Sequence, residues 1–436
     1  MAEIAAGVLA TEQVLSTAAQ ATAAYTVAMP SNGLKATFSQ IATSPDDDTR
    51  ASLVRSHHSL TVVGSRAFIF GGRTSKNKLA DNEIHSLALP TKDQAYEADY
   101  RLIPALPVTE SDGVPASRCD HSACAANGRV AIFSGVDEAG SLIQDGTIWL
   151  FDVEQSVWHA LRAAPSTIPP PARKEGKLFS QGNDFIVYGG KDEAGTPFED
   201  VWRFDYETKA WVRLPNAPAV TSNAAFADHT LYLIAANDDL SSSLHYLDTS
   251  RHLVNDNGSP PAAWESVVFP TNPLAPGPRP RENGGLLHVS TGYGRNYLLY
   301  FFGERSTSIT SSPTEEAEKA TETESSDKPT QWSDMWTLQL PSSDVANKST
   351  NLSEAVKPAK IKDAIRAAFG ASGKHSWAEV QLTPPGDVSG HAGKLHPGPR
   401  GFFGYDVIEK GSSVVIWGGV DAKGETEGDG WIIQLE

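Results

Sequence analysis

Five short stretches of the 436-residue sequence open on arginine: Arg55-Ser-His57, Arg118-Cys-Asp120, Arg173-Lys-Glu175, Arg281-Glu282-Asn283 and Arg400-Gly-Phe402. A guanidinium offers a planar fork of donors that grips a carboxylate or a phosphate in two places. His57, Asp120 and Glu175 add groups that can carry protons or ligate a metal. In the first three stretches a small residue (Gly71, Ser134, Gly189) follows the arginine by 16 positions. Equal phase puts these arginines at equivalent places in a repeated element, and Ala219 holds that place in a fourth copy. Two readings stand together. The arginines ring a mouth that takes acidic ligands, or they pair with nearby acids such as Asp120, Glu175 and Glu282 and brace the fold.

Other chemistry is sparse. Cys119 and Cys124 are an odd number apart, so a strand places them on opposite faces and they should not pair. His57 with Asp120 or Glu175 could hold a metal, but a histidine at a strand start is more often a hydrogen-bonded structural residue. His391 and His396 lie in a Gly/Pro-rich stretch without ligand-like spacing. Neither a phosphate-binding P-loop nor a dinucleotide fingerprint occurs. No catalytic residue, metal or cofactor is assigned.

The balance of 36 Lys+Arg against 53 Asp+Glu gives a formal charge of −17. That argues against a nucleic-acid or anionic-membrane partner, both of which need clustered cations. Two cysteines make no disulfide framework and suit a reducing compartment. No Lys or Arg precedes Lys35, so the apolar start lacks the basic region of a signal peptide. A cytoplasmic protein is expected.

The elements that must carry the arginines are repeats. Phe185-Ile-Val-Tyr-Gly-Gly190, Val130-Ala-Ile-Phe-Ser-Gly135 and Val414-Val-Ile-Trp-Gly-Gly419 are each followed by a turn with Asp near its start and Gly at its end. Each reads as a buried strand, then a turn in which Asp caps its own backbone and Gly supplies positive φ. Phe68-Ile-Phe-Gly-Gly72 keeps the strand alone. A third strand follows, marked by Trp149/Asp152, Trp202/Asp205, His245/Asp248, Trp336/Gln339 and Trp431/Gln434. A fourth opens on Tyr100, Trp158, Trp211, Trp264 or Trp377. Trp158, Trp211 and Trp264 are 53 residues apart.

Glycine doublet, tryptophan and second tryptophan together resemble the kelch repeat family. The resemblance covers almost all of residues 34–436 and implies four-stranded blades closed radially into a propeller. Counting second strands predicts an all-β, six-bladed ring: Ala67–Gly72, Val130–Gly135, Phe185–Gly190, Leu231–Ala236, Tyr297–Gly303 and Val414–Gly419. Phe38-Ser-Gln-Ile41 carries the signature of a fourth strand that blade six lacks, so residues 34–42 are expected to complete that blade. Residues 1–33 are expected to form a helical extension. Two insertions should interrupt blade five: a disordered acidic loop over 305–331 and a helical segment over 341–376.

Kelch adaptors that recruit acidic peptides use arginines at the start of these inner strands. The resemblance therefore implies a non-catalytic interaction scaffold. Arg55, His57, Arg118, Asp120, Arg173, Glu175, Arg281, Glu282 and Arg400 would bind a protein or peptide on a locally basic rim. The alternative is a small-molecule or metal-dependent enzyme of the specifier, oxidase or isomerase type, with its site in the central channel. Copper radical oxidases need a Tyr–Cys cross-link and seven blades, which this chain does not match. The specifier iron pattern Glu-x-x-x-Asp-x-x-x-His is absent from the sequence.

Overall fold

The computed structural model describes residues 33–41, 51–90, 99–238, 241–250, 261–269, 277–291, 295–305, 331–340, 377–383, 394–408 and 411–436. The expected N-terminal helix and the bodies of both insertions lie outside these residues. What is described is almost wholly β, arranged as six blades of four antiparallel strands.

Blade one is Ser59–Val63, Arg66–Phe70, Ile84–Ala88 and Tyr100–Ile103, from the axis outward. Blades two to five repeat this order, starting from the inner strands Ser122–Ala126, Lys177–Gln181, Ala224–Ala227 and Gly285–Ser290. Blade six draws on both ends of the sequence. Its inner strands Gly404–Ile408, Ser413–Trp417 and Gly430–Leu435 are followed by Lys35–Gln40, with Phe38 opposite Ile433. Outside that strand Gln381–Leu382 adds a short parallel pairing. The sequence did not announce this fifth strand. It continues the outer strand of blade five, Trp377–Glu379, so one segment stitches two blades together.

After a polar first residue the second strands are apolar, because both of their faces are buried. In blade two, Val130 and Ile132 pack toward blade one, while Ala131 and Phe133 pack toward blade three. Among the described residues six apolar clusters fill the six seams. One of them joins Val415, Trp417 and Ile432 of blade six to Leu60, Val62 and Ile69 of blade one. That cluster closes the circle.

The glycine doublets are steric requirements of blade contact. Gly72 has φ +92°, and a Cβ there would stand 2.5 Å from the Ser56 carbonyl oxygen and 2.6 Å from the His58 Cβ. Its N–H donates to the Arg118 carbonyl of the next blade at 2.9 Å. Gly135, Gly303 and Gly419 make the same bond to Arg173, Arg400 and Arg55. Asn223 Nδ2 substitutes for it in blade four, donating to the Arg281 carbonyl at 2.9 Å. The Asp turns form as their spacing implies: the side chains of Asp137, Asp192 and Asp421 accept backbone N–H groups two or four residues on.

Candidate functional site

The five arginines occupy equivalent positions, and all five are entombed, with exposures from 0% to 2%. Each guanidinium donates to the carbonyl that ends its own second strand: Gly71, Ser134, Gly189, Phe302 and Gly418, at 2.7–3.1 Å. Four then pair with an aspartate leading into the third strand. The pairs are Arg118–Asp145 at 3.0 Å, Arg173–Asp200 at 2.7 Å, Arg281–Asp334 at 2.9 Å and Arg400–Asp429 at 2.8 Å. The same carboxylates accept the indole N–H of Trp149, Trp202, Trp336 and Trp431. Burial favours the neutral acid at Asp200 and Asp429, but the arginine beside each outweighs it and holds the carboxyl below its ordinary range.

Blade one varies the theme. Arg55 meets His85 Nε2 at 2.7 Å, and burial lowers the arginine to about 10 although Asp81 partly offsets it. Burial and Arg55 together push His85 to about 3, so its neutral ring accepts from Arg55 and donates from Nδ1 to the Tyr100 hydroxyl.

The expectation that the arginines themselves form a basic rim is therefore corrected. Four of them spend their charge inside the blades, on aspartates that follow by 27 to 53 positions, and Arg55 is turned inward onto His85. What faces the mouth is the second residue after each arginine. His57, Asp120, Glu175, Asn283 and Phe402 all adopt left-handed backbone, with φ between 53° and 57°. Their amides link blade to blade: Glu175 to Asp120, Asp120 to His57, His57 to Phe402 and Phe402 to Asn283, at 2.8–3.1 Å. Most of the rim is thus a backbone belt.

Its side chains carry both signs. His57 Nδ1 lies 2.6 Å from Asp120 Oδ1, and its ring stacks on Phe402 with centroids 4.0 Å apart. Burial raises the Asp120 carboxyl, but the hydrogen bond and charge of His57 more than reverse this. Lys191 Nζ binds Glu175 Oε2 at 2.6 Å. Burial opposes the lysine charge, while Glu175, Glu282 and Asp120 hold its pKa above the ordinary value. Asn283 donates to Glu304 at 2.9 Å, and Glu282 is half-buried beside it.

Directly beneath the rim a cavity of about 240 Å³ fills the channel, lined by His58, His121, Lys177, Phe179, Tyr405 and Asp406 among others. Burial lowers both histidines, His121 to about 3 and His58 well below its ordinary value. Burial also pushes Asp406 up to about 6, against the stabilising N–H groups of Val62 and Val407 at 2.7 Å. These residues escaped the search for motifs, yet a signal existed. Across the six innermost strands, the formally charged side chains are Lys177 and Asp406.

Among the described residues no group of three His, Cys, Asp or Glu side chains is placed to hold a metal. Cys119 and Cys124 are free thiols, and burial pushes Cys119 to about 12 and Cys124 higher still. His396 packs against Phe38 and Phe302, and His391 lies outside the described residues. No described helix is long and apolar enough to cross a membrane.

Six radial blades, with seams stitched through glycine N–H groups and four of the five arginines locked onto Asp–Trp pairs, define a propeller built from a repeated structural unit. The fold is that of a kelch-type β-propeller, and the kelch-repeat family model matches its first part. Residues 37–242 match the family model described as the KLHDC2/KLHL20/DRC7 Kelch-repeats domain. Kelch domain-containing protein 3 of Homo sapiens is 26% identical over 168 residues, which cover 37% of this chain and 40% of that protein. The flagellar outer-arm dynein alpha chain of Chlamydomonas reinhardtii is 24% identical over 202 residues, covering 45% of this chain and 4% of that protein. The chain thus aligns with less than half the length of either relative. The solved structure of YjhT superposes with a TM-score of 0.49 at 13% identity, covering 88% of this chain and 97% of that one.

Proposed function

We propose that this chain is a non-catalytic propeller that binds a protein or peptide on the rim formed by His57, Asp120, Glu175, Lys191, Glu282 and Phe402. The carrying observation is the separation of duties along each Arg-x-x stretch. The arginine is consumed in bracing, and two residues later a polar or aromatic side chain is presented on a backbone belt that fixes its position. The match of residues 37–242 to a kelch-repeat model supports such a role. The mixed rim charge favours a partner carrying both signs over a uniformly acidic peptide.

Photocrosslinking in native extract tests this reading. A benzophenone amino acid at position 175 or 282 is expected to give discrete adducts. The same group at position 206, an exposed tyrosine after the third strand of blade three, is expected to give none of them. The same adducts from all three positions, or none from the rim, would overturn the assignment.

A further inference from the structure

The cavity beneath the rim has features that bracing the blades does not require. Lys177 belongs to the inner strand of blade three, and its Nζ reaches across the channel to within 5.9 Å of the ring centre of Tyr405 in blade six. Among the described residues no carboxylate stands within ion-pair distance of it, whereas Arg118, Arg173, Arg281 and Arg400 each have an aspartate. Asp406, the acid in the same lining, turns both oxygens to the Val62 and Val407 amides. Around this cation the wall is largely apolar: Phe179, Leu287, Phe403 and Tyr405 all line it. His58 lines it as well. It is 7% exposed, and neither ring nitrogen has a hydrogen-bond partner. A buried polar group left without a partner is costly and calls for an explanation. A small concave site with apolar walls and a few convergent polar groups is how proteins hold small molecules.

We propose that this cavity binds a small organic monoanion with an apolar body, its carboxylate on Lys177 and its body against Phe179, Leu287, Phe403 and Tyr405. One lysine without an arginine fork suits a single carboxylate better than a phosphate, which draws several donors. The volume admits a ligand of about the size of one substituted ring. The neutral His58 ring carries one N–H that a ligand oxygen can accept. The side chains that line this site are different from those of the rim.

Calorimetry on the full chain with phenylacetate, phenylacetamide and phenethylamine tests the proposal. Phenylacetate is expected to bind at least about tenfold more tightly than its neutral amide, as a charge-assisted contact implies, and the amine is expected not to bind. Lys177→Met should abolish the preference for the anion, and Lys177→Arg should restore it. The comparison of the three probes on the unmodified chain stands even if the methionine variant fails to fold. The proposal is overturned if phenylacetate does not bind at millimolar concentration or binds no better than the amide. It is equally overturned if a folded Lys177→Met chain keeps the preference.

Discussion

Arg173 shows how one residue type can mislead when read from spacing alone. The sequence displays its phase but not its partner, and a guanidinium aimed at a ligand looks the same in one dimension as one aimed at its own blade. The signal that separates them was present, since Asp145 and Asp200 each follow their arginine by 27 positions. The Arg173–Asp200 pair is nearly dry, at 0% and 8% side-chain exposure. Breaking a buried pair on one side strands a charge, so Arg173→Met should cost about 3–5 kcal/mol. Adding Asp200→Asn should recover part of that loss. Urea unfolding of the two single variants and the double variant checks this, and a purely additive result would argue against the brace. Asp406 gives a prediction in pH. An acid whose folded-state pKa lies above its unfolded value binds its proton more tightly when folded, so folding takes up protons between the two values. With values of about 6 folded and 3.8 in the reference state, this group makes the protein less stable as pH rises from about 4 to 6. Above that range its effect is flat. Asp406→Asn should therefore gain on the parent chain across this window, measured by urea unfolding at successive pH values. A constant gap would contradict the assignment.

At the scale of strands and turns, much of the fold was legible. A second strand buried on both faces must be apolar after its first residue, and the chain reversal after it demands glycine, so the blades announce themselves. Blade four was the hardest to place because Ala219 replaces the arginine and Asn223 replaces the glycine amide. Its seam is maintained by a side chain that no repeat pattern encodes. The Gln381–Leu382 pairing was invisible for a similar reason: two residues carry no periodicity. The glycine doublet supplies the sharpest test here. Gly72→Ala places a methyl against the Ser56 carbonyl oxygen in a backbone region that L-residues rarely occupy. It should destabilise by more than about 2 kcal/mol. Gly64→Ala, in a hairpin with open space around its Cβ position, should cost less than half as much. Thermal unfolding of the two variants compares them directly.

For the whole molecule, each seam joins neighbouring blades, and blade six takes its outer strand from the opposite end of the sequence. Removing residues 1–42 should leave Gly430–Leu435 with an unpaired edge and expose Ile433. Exposed edges template association. The shortened chain should melt lower and run as oligomers in light-scattering chromatography, and a monomer of unchanged stability would refute the role given to Lys35–Gln40. The acidic formal charge of −17 does not translate into a mouth of either sign, because four of the five arginines before the inner strands are paired with aspartates inside the blades and the rim carries His, Lys, Asp and Glu together.

The pairing of Lys35–Gln40 with Gly430–Leu435 also has a meaning in time. Its two partners are separated by about 400 residues. At typical synthesis rates the earlier strand waits on the order of 20 to 80 s for the later one to emerge. During that interval blades one to five can assemble in order, each against its predecessor, while the first-made strand stays unmated and blade one keeps a bare flank. The seam that completes the circle is therefore the last to form and the one most in need of shielding at the ribosome.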